Sequence, residues 1–373
     1  MPALDTILQQ KLALLEAKHL RRQIAVSARE DGMVVRRGGR QLVSFSYNDY
    51  LGLVRHPHVI AAARTALEAY GAGAGGARLL TGNHPLYDAL EALLAQVKGT
   101  EAACVFGSGY LANIGAIPAL VGAGDLIIAD KLIHACSLDG AKLSGATLMR
   151  YAHNNIAHCR LLLAANRAEY QHCLILTETV FSMDGDCAPV AALAALAQEF
   201  NAWLMTDDAH GIPVAGYTSP AAIQMGTLSK AVGSYGGYVC GSTTLVEYLR
   251  NAARSLVFAT ALPPATIAAS IAALTVMQHD PALCAKPLEH ARYFTSLLNL
   301  PEAQSAIVPV ILKENDKAVA ASKLLEERGF LVSAIRPPTV PENTARLRFA
   351  FSALHTREHI EQVATIIKSE GWL

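Results

Sequence analysis

Hydrophobic positions change their period several times along the chain. Leu4, Ile7, Leu8, Leu12 and Leu15 recur at three- and four-residue spacing among Lys, Gln and Glu, which predicts an amphipathic helix over residues 4–20. An Arg- and Gly-rich segment (Arg36 to Arg40) follows, and Gln41 to Tyr47 reads as a strand. Helical spacing returns from Pro57 to Tyr70 with Gly71 as its stop, then from Asn83 and Pro85 to Lys98 and Gly99. In the centre, six short apolar runs (102–106, 125–130, 147–151, 173–178, 202–207 and 223–228) alternate with helical stretches. That alternation predicts an α/β unit with a mainly parallel sheet covered by helices, and functional groups at the carboxyl ends of the strands. Helical segments near 243–256 and 264–278 lead into a smaller α+β unit with strands at 307–312, 330–335 and 346–351. The expected organisation is an N-terminal helix and arm (1–45), a large domain (46–262) and a small C-terminal domain (263–373). With no repeat or long linker between them, the two domains are expected to pack tightly.

Composition narrows the function. Lys+Arg and Asp+Glu both number 31, so no net field favours nucleic acid or an anionic membrane. Seven scattered cysteines without a CxxC pair read as thiols in a reducing compartment. The first residues lack the apolar core and cleavage site of a signal peptide, and no run reaches eighteen apolar residues. A cytoplasmic enzyme, with neither nucleic acid nor membrane as partner, is the expectation.

Several segments carry candidate chemistry. The run Ala202 to Gly211 delivers Asp207, Asp208 and His210 to the end of an apolar strand. An acid there can pair with a protonated heterocyclic nitrogen, as a pyridoxal ring requires if it is to act as an electron sink. Two alternatives are a helix cap and a metal site, although one histidine and two acids make a thin ligand set. Lys230 lies among Thr227, Ser229 and several glycines, which suits a Schiff base beside a phosphate; a solvated surface lysine is the plain alternative. Phe106 to Asn113 reads as strand, Gly turn and helix start, an anion site that includes Ser108. His134, beyond another strand end, could stack on a flat ring or serve as an ordinary helix-end histidine. Arg346 and Arg348 alternate on one strand face, suiting either a substrate carboxylate or a surface ion pair. Gly71 to Gly76 matches GxGxxG, but a helical pattern precedes it and a loop follows. It reads as a loop near the substrate, and a nicotinamide oxidoreductase built on it is the reading from another class.

Taken in order, Ser46–Leu53, Gly82–Pro85, Phe106–Asn113, Thr177–Gly185, Asp207–Gly211, Gly226–Lys230, Ala261–Pro264 and Arg346–Thr356 resemble the α-oxoamine synthase family, the fold-type I pyridoxal-phosphate acyltransferases. The resemblance implies a seven-stranded, mainly parallel sheet between helices, a small C-terminal α+β domain, pyridoxal 5'-phosphate as cofactor and a homodimer with shared sites. It implies decarboxylative condensation of an amino acid with an acyl-CoA or acyl-carrier protein. The nearest branch joins L-alanine to a pimeloyl thioester in biotin synthesis; others use glycine or serine. Lys230 would carry the cofactor and remove the α-proton, Asp207 would pair with the ring nitrogen, His210 would meet the ring oxygen and His134 would stack on the ring. Ser108, Gly109, Tyr110, Thr227 and Ser229 would surround the phosphate, with Thr260 reaching the partner subunit's phosphate. Ser182 would lie beside the ring oxygen, Arg348 and Asn48 would bind the amino-acid carboxylate, and Arg22 (or Arg21) would meet the distal end of the acyl chain.

Overall fold

The computed structural model describes residues 3–17, 20–21, 24–211 and 219–373. Its first helix, α1 (Leu4–Ala17), buries none of its residues, so the apolar stripe read from the sequence faces outward. Three strands follow: β1 (Ser27–Arg29), β2 (Val34–Arg37) and β3 (Arg40–Ser44). They pair antiparallel, and Gly38 and Gly39 make the β2–β3 turn in the Arg- and Gly-rich segment. Next come α2 (Pro57–Tyr70) and α3 (Pro85–Lys98), both with proline in the first turn. Between them Gly71 to Gly76 follows a helix and leads into a short turn of helix at Arg78–Gly82. The strand that a dinucleotide fingerprint needs is not there.

The central alternation forms as expected: β4 (Ala102–Phe106), α4 (Gly109–Leu120), β5 (Leu126–Asp130), α5 (Ala135–Ser144), β6 (Thr147–Tyr151), α6 (Ile156–Asn166), β7 (Cys173–Glu178), α7 (Val190–Glu199), β8 (Trp203–Asp207) and β9 (Ile223–Thr227). A seventh strand, β10 (Gly237–Gly241), was not marked by the hydrophobic pattern. It enters antiparallel between β4 and β9, giving the order β4-β10-β9-β8-β7-β5-β6. The remaining neighbours are parallel, as βα crossovers require. β5, β7, β9 and β10 are buried along their whole length, and β5 and β7 are correspondingly apolar up to their carboxyl ends.

The helical segment expected at 243–256 divides at Ala253 into α8 (Thr243–Ala252) and α9 (Arg254–Val257). Then α10 (Pro264–His279) packs on α2 and α3, and α11 (Pro281–Leu297) leads to the last unit. There β11 (Ile307–Lys313), α12 (Asn315–Glu327), β12 (Phe330–Leu331), β13 (Ser333–Ile335), β14 (Ala345–Ala350) and α13 (Arg357–Ser369) follow in order. The single strand expected at 330–335 serves two sheets. β12 runs parallel to β3 of the arm, whereas β13 pairs antiparallel with β14, whose other neighbour is β11. Phe45, Phe294, Phe349 and Phe351 pack in the core beneath these strands. No helix among the described residues is long and apolar enough to cross a membrane.

Candidate active site

The carboxyl ends of β7, β8 and β9 and the amino ends of α4 and α5 converge on a cavity of about 200 Å³, lined by Lys230, Asp207, His210, His134, Ser108, Gly109, Tyr110, Thr227 and Ser229 among others. Residues from four separated segments thus meet where an open α/β sheet places its chemistry. One part of the wall is suited to an anion. Ser108 caps α4, its Oγ accepting from the Leu111 amide at 3.1 Å, and Gly109 opens the helix facing Thr227. Thr227 Oγ1 donates to the Gly236 carbonyl at 2.9 Å and lies 2.7 Å from Ser229 Oγ. Gly237 lets β10 run against this turn, because a Cβ there would sit 2.3 Å from the Ser108 carbonyl oxygen. Tyr110 donates its hydroxyl to Asp139 Oδ2 at 2.6 Å. Hydroxyls at the positive end of a helix attract phosphate.

The other part carries acids, imidazoles and an amine. Asp207 is buried, its Oδ2 accepting from Asn113 Nδ2 at 2.9 Å and its Oδ1 from the Ala209 amide at 2.9 Å. The next residue, Asp208, is turned instead to Lys98, whose Nζ donates to Oδ2 at 2.6 Å with both groups buried. The two acids are therefore not a joint ligand set, and the described residues contain no group of three or more His, Cys, Asp or Glu suited to a metal.

Lys230 Nζ lies 2.6 Å from His210 Nε2, and His210 Nδ1 lies 2.6 Å from the Tyr50 hydroxyl. Burial lowers the Lys230 pKa, while Asp207 and Glu178 pull it back up. Burial and then the Lys230 charge hold His210 well below its ordinary value, so its ring is neutral. His134 caps α5 and approaches Cys136 Sγ at 2.8 Å; burial lowers its pKa against the pull of Asp207. Burial, then Asp207, pushes the Cys136 thiol up to about 12, so it stays protonated.

Behind these groups stands the arginine pair on β14. Arg348 Nε donates to the Ser182 carbonyl at 2.6 Å, and both terminal nitrogens lie 3.2 Å from Asn48 Oδ1. It is 6% exposed and forms no ion pair with a carboxylate among the described residues. Arg346 on the same strand face does form one, with Asp184 Oδ1 at 2.6 Å. Neither arginine is on the surface, so the plain surface-pair alternative does not hold. Thr260 is exposed and bridges Ala77 away from the Lys230 cavity, so this chain does not bring it to the other site residues. Arg22 lies outside the described residues; Arg21 forms a surface pair with Glu16 at 3.3 Å.

Four further residues join the cluster without having been singled out in the sequence. Glu178 lines the cavity with Oε1 buried and unpartnered and Oε2 accepting from the Ser182 amide at 3.3 Å. Burial and then Asp207 raise its pKa well above the carboxylate range. Asn113, Tyr50 and Cys136 touch Asp207, His210 and His134 in turn. All but Cys136 stand inside the motifs that carried the family resemblance; their roles depend on pairings far apart in sequence.

A match to the family described as Aminotransferase class I and II spans residues 40–367. The chain belongs to the class I and II aminotransferase family. An 8-amino-7-oxononanoate synthase of Methylobacterium nodulans is 56% identical over 370 residues, covering 99% of this chain and 98% of that one. A serine palmitoyltransferase of Sphingomonas wittichii has a TM-score of 0.91 at 32% identity, covering 98% of this chain and 96% of that one. A lysine-to-alanine variant of the serine palmitoyltransferase of S. paucimobilis, solved with a bound pyridoxal phosphate–myriocin aldimine, has a TM-score of 0.91 at 27% identity over 100% of this chain and 98% of that one. The expected fold, a fold-type I pyridoxal-phosphate transferase, is the fold this family member has, and its α-oxoamine synthase character is borne out by these relatives.

Proposed function

We propose that this chain is a pyridoxal-phosphate-dependent acyltransferase that condenses L-alanine with a pimeloyl thioester, releasing the thiol and carbon dioxide and forming 8-amino-7-oxononanoate for biotin synthesis. The observation that carries the reading is the pairing of two basic groups with no carboxylate bonded to either among the described residues, the partly buried Lys230 amine in the cavity and the buried Arg348 guanidinium. The first suits attachment of an aldehyde, the second recognition of a substrate acid. The name and 56% identity of the M. nodulans relative support the choice of substrates.

The cavity suits the cofactor on its own donor set. Ser108, Thr227, Ser229 and the start of α4 offer hydroxyls and amides for a phosphate, and Asp207 offers a carboxylate for a cationic ring nitrogen. The buried, unpartnered Glu178 Oε1 shows a polar wall whose hydrogen bonding is incomplete in the chain alone. When bound, pyridoxal phosphate supplies an electron-withdrawing ring that accepts the charge left at the α-carbon. Lys230 would hold it, and its Nζ would take the α-proton of the substrate; a depressed amine pKa favours that role near neutral pH. Arg348 and Asn48 orient the substrate carboxylate. His210, held neutral by burial and Lys230, accepts or donates a single hydrogen bond beside the amine and keeps the site from accumulating positive charge.

A homodimer is part of the same proposal. A 14-residue helix is marginal alone in water, and α1 buries none of its residues against the rest of the described chain. Thr260 is exposed and away from the Lys230 cavity, which supports a role toward a neighbouring subunit.

The test is thiol release by the pyridoxal-loaded protein across L-alanine, glycine or L-serine and pimeloyl-, succinyl- or acetyl-CoA. Alanine-dependent release with pimeloyl-CoA is expected. Release only with glycine and a short acyl-CoA would move the enzyme to another branch.

A further inference from the structure

Outside the cavity, the densest cluster of titratable groups surrounds His153, just after β6. Its Nδ1 lies 3.0 Å from Asp130 Oδ1 and its Nε2 2.8 Å from Asp186 Oδ2. A neutral imidazole has one N–H and cannot donate to both carboxylates; the protonated ring can. Burial pulls its pKa down, but the hydrogen bonds to Asp130 and Asp186 outweigh this and raise it to about 10. Asp130 is wholly buried and also accepts from the Leu132 and Asn154 amides, so that end is fixed. Asn154 Nδ2 adds a second bond to Asp186 at 2.8 Å.

Asp186 belongs to a short closed loop. Val180 and Cys187 bridge its base, and the Phe181 amide donates to the Asp186 carbonyl at 3.0 Å. The loop's tip holds the arginines: the Ser182 carbonyl takes Arg348 Nε at 2.6 Å, and the Met183 carbonyl with Asp184 takes Arg346. Gly185 sits at φ +74°, where a Cβ would meet the Ile307 carbonyl oxygen at 2.1 Å, so the tip presses directly on β11. The base is tied to the large sheet by a cation and the tip to the arginine strand by neutral carbonyls and one acid.

We propose that His153, acting through Asp186, is a positioning residue that sets the Ser182 carbonyl and so aims Arg348 at the amino-acid carboxylate. This rests on the reading of Arg348 given above. The test titrates the pyridoxal-loaded wild type, His153→Asn, Arg348→Gln and the double variant with L-alanine and with L-alaninol, which lacks the carboxylate, following cofactor absorbance. Asn keeps a donor toward Asp130 and loses the one toward Asp186. His153→Asn is expected to weaken L-alanine about tenfold, leave L-alaninol within about twofold, and add nothing once Arg348 is Gln. Equal weakening of both ligands, or full additivity with Arg348→Gln, would overturn the proposal. Should His153→Asn fail to fold, Asp186→Asn is expected to give the same pattern. Amide exchange at residues 182–185 should also quicken in either variant, and unchanged exchange would refute the linkage. If the wild type responds to no amino acid, the functional reading fails while the exchange result still decides the linkage.

Discussion

Two lysines near one sheet, Lys98 buried and Lys230 partly buried, are treated in opposite ways. Lys98, at the end of α3, meets Asp208 at 2.6 Å with both groups nearly inaccessible. Lys230 meets a neutral imidazole at the same distance, and its pKa is lowered chiefly by burial. Asp207 and Asp208 are consecutive, yet one faces the cavity and the other completes the ion pair. A buried charge neutralised by its partner holds structure, whereas one left beside a neutral partner is held ready for chemistry.

Exchanging the parts should separate these roles. Lys230→Ala should lower thiol release at least about 10³-fold while the thermal midpoint stays near that of the wild type; retained turnover would remove Lys230 from the mechanism. Lys98→Met should do the reverse, destabilising by about 3–5 kcal/mol in urea melts because Asp208 is left buried and alone. A Lys98→Met/Asp208→Leu double variant should recover most of that loss; failure to recover would mean that packing, not charge, holds this region. Asn113→Ala strips a donor from Asp207 and should weaken pyridoxal-phosphate binding about tenfold, read by absorbance titration with thermal stability as control.

The contrast extends to a third cation. His153 has its pKa raised from 6.5 to about 10, so its stabilising contribution is complete below pH 6.5 and is lost as pH climbs through 10. Urea midpoints of wild type and His153→Asn should therefore converge toward pH 10.5, and a gap constant from pH 6 to 10.5 would refute a charged tie.

Much of this is legible in the sequence. Six of the seven sheet strands follow from apolar runs, most plainly β5 and β7, which are buried on both faces and show it in composition. β10 escaped because Gly237 and Gly241 bound a five-residue strand and a Gly-rich turn precedes it. The division of 330–335 was hidden as well, since one extended segment carries no mark of which sheet will take which half. At the site, Lys230, Asp207, His210 and Ser108 announced themselves through local motif chemistry. Glu178, Asn113 and Tyr50 did not, because their meaning lies in contacts such as Asn113 to Asp207 and Tyr50 to His210, made across 94 and 160 residues. The opposite fates of Asp207 and Asp208 were equally invisible, for adjacent side chains at a strand end face different neighbours.

The pairing of β3 with β12 also bears on how the chain is made. Ser46 and Ser333, joined by a hydrogen bond beside that pairing, are 287 residues apart. At about 5–20 residues per second, the second partner emerges roughly 15–60 s after the first. Through that interval the hairpin of the arm has only its own two or three strands, an arrangement marginal in water. The outer edge of β3 is then open to other nascent chains. The sheet whose first strands are made earliest closes only once β12 has emerged, so the arm is where a chaperone would matter most during synthesis.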